Sequence, residues 1–210
     1  MNKKELAILF SKFENIKNPK VNLEQYTLPD ELAAEIVNIA NLDGSIKNKI
    51  VFDLGCGNGK LGIGASYFEP KFVVCVDIDK NAIKIAKQNA KKFSKSKIFF
   101  VVCDVKNFFV KKFVKEQAVV IQNPPFGLKG ERHKDVYFLK KACEIASIVY
   151  SLHRGGYKKT REFLAKKFLE FGFDVKKIVE FKFEIPRMFL FHKKKKVDIK
   201  VDLYIATKIK

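Results

Sequence analysis

A chain of 210 residues with 47% hydrophobic side chains can bury one sizeable core and calls for no second domain. Its 42 basic residues against 23 acidic ones leave a net charge of +19, which favours a polyanionic partner, nucleic acid first and an anionic membrane surface second, although lysine enrichment also accompanies life at high temperature. No apolar run is long enough to span a bilayer, and Cys56, Cys75, Cys103 and Cys143 are scattered without a Cys-x-x-Cys or paired histidines, so neither a membrane segment nor a metal site is expected, and buried free thiols in a reducing cytoplasm are.

In chain order, residues 49–53, 71–77, 97–104 and 117–122 are short β-branched and aromatic runs that end in polar or turn residues, and each reads as a buried strand. Between the second and third, Ile83, Ala86 and Ala90 recur at spacings of three and four with lysines opposite, which predicts an amphipathic helix over 79–93 capped by Asp79. A helix over 135–146, a short strand over 148–152 and a helix over 160–171 follow. Two late strands, 174–183 and 197–207, close the chain. In the second, Val197, Ile199, Val201, Leu203 and Ile205 alternate with polar residues, as a strand with one solvated face should. Alternating strands and helices imply an α/β fold with a parallel sheet covered on both faces. By analogy with the class I methyltransferases, the expected layout is Rossmann-like, with seven mostly parallel strands and an antiparallel final pair.

The first predicted strand runs into Asp53-Leu-Gly55-Cys-Gly57-Asn-Gly59, a glycine-rich turn where missing side chains let backbone approach a ligand. Gly57, Gly59 and Gly62 also satisfy Gly-x-Gly-x-x-Gly, so a nicotinamide dinucleotide is the rival ligand. Asp53 argues against it, because a carboxylate there suits a cationic amino acid moiety and repels a pyrophosphate. Asp77, with Ile78 after it, suits a ribose diol in either cofactor. Asp104 with Val105 fits an adenine ring, and Asp104 reads equally as a helix cap. A P-loop fails, because Gly59-Lys60 is followed by Leu61.

After the fourth strand stands Asn123-Pro124-Pro125-Phe126-Gly127, at the carboxyl end of the sheet where open α/β proteins bind ligands. An aromatic amino nitrogen is a poor nucleophile because its lone pair is delocalised. Two acceptors aimed at its hydrogens, the Asn123 side-chain oxygen and the Pro124 carbonyl, would draw it toward tetrahedral geometry. The prolines preorganise both acceptors, and Phe126 offers a face on which an extruded base stacks. An ordinary Pro-rich turn is the plain alternative.

Asp-Leu-Gly-Cys-Gly followed by Asn-Pro-Pro-Phe resembles the amino-group methyltransferases. Further matches narrow the resemblance to the methyltransferase-like protein five family: Leu23-Glu24-Gln25-Tyr26, Tyr150-Ser151-Leu152-His153, and Phe191-His192-Lys193-Lys194-Lys195 leading to Val197-Asp198-Ile199. The resemblance implies S-adenosylmethionine as cofactor and an adenosine of small-subunit ribosomal RNA as methyl acceptor. It implies that Gln25 and Tyr26 fold over the cofactor, that Gly55 and Asp77 hold it, and that residues 123–126 hold the acceptor. Thr27 and Leu28 stand where family members have Pro-Thr, and Asn58 and Lys60 replace smaller or apolar residues in the cofactor loop. A single domain, 1–210, is expected, with residues 1–30 as a helical cap closing over the cofactor and 31–210 as the core.

His192, Lys193, Lys194, Lys195 and Lys196 join the two late strands and are expected to contact RNA phosphates, against the plain reading of a solvated charge run. Ser151 and His153 lack a nucleophile elbow and are expected to shape the pocket floor. The third strand should lie at a sheet edge, and residues 97–103 carry no gatekeeper beyond Lys97, so a partner adding a strand there is expected. The resemblance implies that this partner is a small zinc-binding activator. The rival functions are methylation of DNA adenine or protein glutamine, and a catalytically silent RNA-binding ribosome-assembly module.

Overall fold

The fold is a computed structural model that describes residues 1–127, 134–186 and 196–209. In chain order it runs α1 (Lys3–Phe10), α2 (Asp30–Leu42), β1 (Ile50–Leu54), α3 (Lys60–Ala65), β2 (Phe72–Asp77), α4 (Lys80–Phe93), β3 (Ile98–Val102), α5 (Lys112–Lys115), β4 (Ala118–Gln122), α6 (Lys134–Ile145), β5 (Ile148–Arg154), α7 (Lys158–Glu170), β6 (Phe173–Pro186) and β7 (Lys196–Lys208). The strands form one sheet in the order β3-β2-β1-β4-β5-β7-β6. The five strands from β3 to β5 are parallel, and β7 runs antiparallel to both β5 and β6. The expected topology is therefore observed, with the order reversing between β1 and β4.

Period-two alternation splits the core across the sheet. Val51, Val73, Cys75, Val119 and Ile121 pack on one face with Ile36 and Val37 of α2, Ile63 of α3 and Ala86 of α4. Phe52, Val74, Val76 and Val120 pack on the other with Leu139 and Cys143 of α6 and Leu164 and Phe168 of α7. The Asp79 cap is observed, its carboxylate accepting from the Asn81 N–H at 3.2 Å.

Three features depart from the sequence reading. First, β3 is not buried. It lies at the edge, as the layout implied, so Phe99 and Val102 are 42% and 45% exposed; Phe99 meets its neighbour Phe72 edge-on, with ring centroids 5.5 Å apart, and carries the Lys97 ammonium 4.9 Å from its own centroid. Second, α1 to α3 were not individually anticipated. The first helix is set by a capping box in which Asn2 and Glu5 exchange backbone and side-chain hydrogen bonds. Its Leu6 and Phe10 are wholly buried and join the core beside α2. Third, Ser151 and His153 sit inside the sheet and do not border the cavity described below. Gln122 donates to Ser151 Oγ at 2.9 Å, and Ser151 shares a 2.8 Å hydrogen bond with His153 Nε2.

Candidate functional site

β1, β2 and β3 end side by side, and each brings a carboxylate to the same rim: Asp53 near the end of β1, Asp77 as the last residue of β2 and Asp104 just past β3. Asp53 is 1% exposed and Asp77 is 8% exposed. Asp53 accepts from the Gly62 N–H at 2.8 Å, which requires α3 to approach closely. A Cβ at Gly62 would lie 2.6 Å from Cys75 Sγ and 3.2 Å from the Asp53 carboxylate, so only glycine fits. Gly55 adopts φ +70°, and a Cβ there would meet the Phe138 ring at 3.0 Å. Asp77 accepts from the Gly57 N–H and the Asp79 N–H, each at 2.9 Å. Asp104 accepts from the Lys106 N–H, so its cap role is realised at the cavity wall.

These groups open on a cavity of about 250 Å³. Asp53, Gly55, Gly57, Asn58, Asp77, Ile78, Asp104 and Val105 border it, as do Gln25, Tyr26, Thr27 and Leu28 from the amino-terminal side and Asn123 and Pro125 from the end of β4. The structure thus brings together residues up to about 100 positions apart that the motifs had singled out separately. Pro124 and Phe126 do not border the cavity themselves. Phe126 instead packs beside Tyr26, with ring centroids 5.5 Å apart and planes tilted by 46°. Asn58 borders the cavity, while its amide donates to the Glu14 carbonyl and to Asn15 Oδ1. Its side chain therefore ties the amino-terminal segment to the glycine-rich turn.

Electrostatics distinguish Asp53, Asp77 and Asp79. Burial pushes the Asp53 carboxyl up to about 7, with the Gly62 N–H pulling it down part of the way and the Asp77 charge adding to the rise. Burial likewise raises Asp77, against the N–H groups of Asp79 and Gly57. Asp79 behaves differently. Burial favours its neutral form, yet hydrogen bonds from Gln25 and Lys20 outweigh burial and hold its carboxyl below the usual range.

Several bordering residues had no role assigned from sequence. Glu24 is 9% exposed in a left-handed backbone conformation, φ 51°, and its Oε2 accepts from the Phe126 N–H at 2.8 Å. Lys60 is 5% exposed, pairs with Asp30 at 2.6 Å and donates to the Leu28 carbonyl at 2.7 Å. Burial lowers its ammonium below the ordinary lysine range, and Asp30 restores part of the difference. Lys134, Tyr137 and Phe138 of α6 complete the wall. A non-glycine residue at a forced turn is a signal that sequence can hint at, but its partner 102 positions away is not.

His192, Lys193, Lys194 and Lys195 lie outside the described residues, and Lys196 opens β7 opposite Pro186. Among the described residues no helix is long and apolar enough to cross a membrane.

Comparison with known proteins agrees with this arrangement. The profile of the family described as Methyltransferase small domain matches residues 33–146. The rRNA N(6)-adenosine-methyltransferase METTL5 of Danio rerio is 38% identical over 207 residues, covering 96% of this chain and 97% of that protein. An uncharacterized protein of Methanocaldococcus jannaschii is 38% identical over 99% of this chain and 94% of its own length. The crystal structure of a candidate RNA methyltransferase from Pyrococcus horikoshii superposes with a TM-score of 0.89 at 41% identity, over 100% of this chain and 99% of that one.

Proposed function

The chain belongs to the METTL5 family of methyltransferases, and from that membership we propose how its parts divide the work. It is an S-adenosylmethionine-dependent RNA methyltransferase acting on N6 of an adenosine in ribosomal RNA. The proposed substrate is small-subunit ribosomal RNA, met in the cytoplasm. The observation that carries the reading is the convergence of Asp53, Asp77 and Asp104 with Asn123 and Pro125 of the Asn-Pro-Pro-Phe loop on one cavity.

The donor set fits the cofactor. Asp53, buried and acidic, takes the cationic amino acid end, Asp77 accepts from the ribose hydroxyls, and Asp104, Val105 and Ile78 border the adenine. Gly55 and Gly57 keep the floor low, Asn58 holds the turn, and Gln25, Tyr26, Thr27 and Leu28 close over it as part of the cap formed by residues 1–30. When bound, the cofactor supplies a methyl group on an electrophilic sulfonium. The acceptor nitrogen is prepared by this chain: Asn123 Oδ1 and the Pro124 carbonyl accept its two hydrogens, Pro124 and Pro125 stiffen the loop, and Phe126 stacks against the base. Two carbonyl acceptors and no strong base suit a weakly basic nitrogen, whose spare proton leaves to water once the methyl group has been transferred.

His192, Lys193, Lys194, Lys195 and Lys196 are assigned to RNA phosphates on charge alone. The edge strand β3 is assigned to a small zinc-binding activator that adds a strand, supported by the exposed Phe99 and Val102 on an edge with no charge, proline or glycine. Co-expression should recover a stoichiometric complex that a charged substitution, Val102→Lys, prevents. A monomer fully active alone would remove the activator from the scheme.

The function itself is tested by incubating the protein with deproteinised small-subunit ribosomal RNA and labelled S-adenosylmethionine, then digesting to nucleosides for mass spectrometry. N6-methyladenosine is the expected product. Label found only in DNA adenine or in protein glutamine would overturn the substrate.

A further inference from the structure

The amino-terminal strap, residues 20–28, touches both halves of the site. On the cofactor side, Gln25 Nε2 donates to Asp79 Oδ2 at 2.9 Å, Lys20 Nζ pairs with Asp79 Oδ1 at 3.0 Å, and Asp79 in turn donates its N–H to Asp77. Lys60, the first residue after the glycine-rich turn, grips the Leu28 carbonyl. On the acceptor side, Glu24 accepts from the Phe126 N–H, and the Tyr26 hydroxyl donates to Asn123 Oδ1 at 3.4 Å. An unbroken line of hydrogen bonds and adjacent residues therefore runs from Asp77 through Asp79, Gln25 and Glu24 to Phe126. Within it, Glu24 departs most from local preference: a non-glycine residue held left-handed, with a nearly buried carboxylate directed at a backbone donor of the acceptor loop.

We infer that Glu24 is a positioning residue through which cofactor occupancy sets the geometry of the acceptor loop, so that cofactor and RNA bind cooperatively. This rests on the methyltransferase reading above. Glu24, Gln25, Tyr26, Thr27 and Leu28 all border the cavity, so a cofactor in it touches the strap along its length. Fixing the strap fixes Glu24, and Glu24 then presents a single acceptor to Phe126, which holds the Asn123 and Pro124 oxygens where an incoming base needs them. The entropy of ordering strap and loop is spent when the first ligand binds, leaving less to spend for the second. By linkage the effect is reciprocal: RNA must raise cofactor affinity by the same factor.

The experiment measures filter binding of deproteinised small-subunit ribosomal RNA with and without saturating S-adenosylhomocysteine, alongside single-turnover methyl transfer, for the wild type, Glu24→Ala and Glu24→Gln. In the wild type S-adenosylhomocysteine should tighten RNA binding about fivefold or more. In Glu24→Ala that ratio should fall to about one and turnover should drop about tenfold or more, with S-adenosylhomocysteine affinity alone changed less than about threefold, because a misplaced loop costs chemistry before it costs cofactor contacts. Glu24→Gln keeps an oxygen that can accept from Phe126 and should recover most of the coupling. A merely structural Glu24 would lower stability in both variants and leave the ratio alone. An unchanged ratio in Glu24→Ala, a Gln variant as impaired as the Ala variant, or a wild type without coupling overturns the inference. A wild type that binds no S-adenosylhomocysteine or methylates no RNA overturns the functional reading instead.

Discussion

The cofactor half and the acceptor half of the cavity are built on opposite plans. Asp53, Asp77 and Asp104 stand at the ends of adjacent parallel strands, and each finds its hydrogen-bond donor within about twenty residues of chain, at Gly62, Gly57 and Lys106. Asn123 and Phe126 also follow a strand, but the groups that fix them, Tyr26 and Glu24, come from 97 and 102 residues upstream. The first half is self-supporting, so damage there should appear as lost cofactor affinity. The second depends on a remote clamp, and damage there should appear as lost turnover.

The sharpest test of that division is Asn123→Ala. It should lower single-turnover methyl transfer by about two to three orders of magnitude, as removal of one oriented electrostatic group does, while isothermal titration finds cofactor affinity within a few-fold. Equal losses in both measurements would merge the two halves into one. Phe126→Ala should cost ~1–3 kcal/mol in transfer through lost stacking, and Phe126→Tyr should keep most of the activity. A Tyr variant as weak as the Ala variant would remove stacking from the scheme.

On the cofactor side the expected signature is a pH dependence. Asp53 titrates near 7 in the folded protein, so it is mostly neutral at about pH 6 and mostly ionised at about pH 8. A cationic ligand prefers the ionised form, and S-adenosylmethionine affinity should rise about tenfold across that interval. The free protein should move the other way. Its Asp53 pKa lies above the unfolded value, so this group's contribution to stability is complete below about pH 4 and is lost as pH rises through about 7. Asp53→Asn should flatten both profiles, and an affinity independent of pH in the wild type would show that Asp53 does not meet the cation. The smallest expected effect is on the basic run: replacing Lys193 to Lys196 with alanine should weaken RNA binding and flatten its salt dependence by about 0.7–0.9 per lost phosphate contact. An unaltered slope would return those lysines to a solvated face.

The two halves were also unequally legible in the sequence. Strands β1, β2 and β4 announce themselves because both faces are buried and the positions ahead of the first polar residue are all apolar, and Asp53 of β1 and Asp77 of β2 are visible as that first polar residue. The Asn-Pro-Pro-Phe loop is visible for the same reason. The composition of β3 misleads, although its edge place was legible from the layout: Ile98 to Val102 read as a buried strand, while among the described residues they pair with β2 alone. The strap has no period and a mixed composition, and its meaning lies in what it touches. Leu23-Glu24-Gln25-Tyr26 could be matched to a family, but no spacing rule connects Glu24 to a backbone N–H beyond four intervening strands. Nor does any rule expose Lys60 as the anchor of Leu28, since a lysine at the start of a helix ordinarily points to water.

The separation of Glu24 from Phe126 also has a meaning in time. A ribosome adding about 5–20 residues per second takes roughly 5–20 s to pass from one to the other, a span of 102 positions. During that interval the glycine-rich turn and the three acids are added in succession, and until its end there is no acceptor loop for Glu24 to grip. The cofactor half draws its three acids from residues before β4, whereas the left-handed turn at Glu24, held locally by its N–H on the Val21 carbonyl, gains its partner on the acceptor loop only after β4 is made. The acceptor half is therefore the later of the two halves to be completed in synthesis, with β5, β6 and β7 still to follow it.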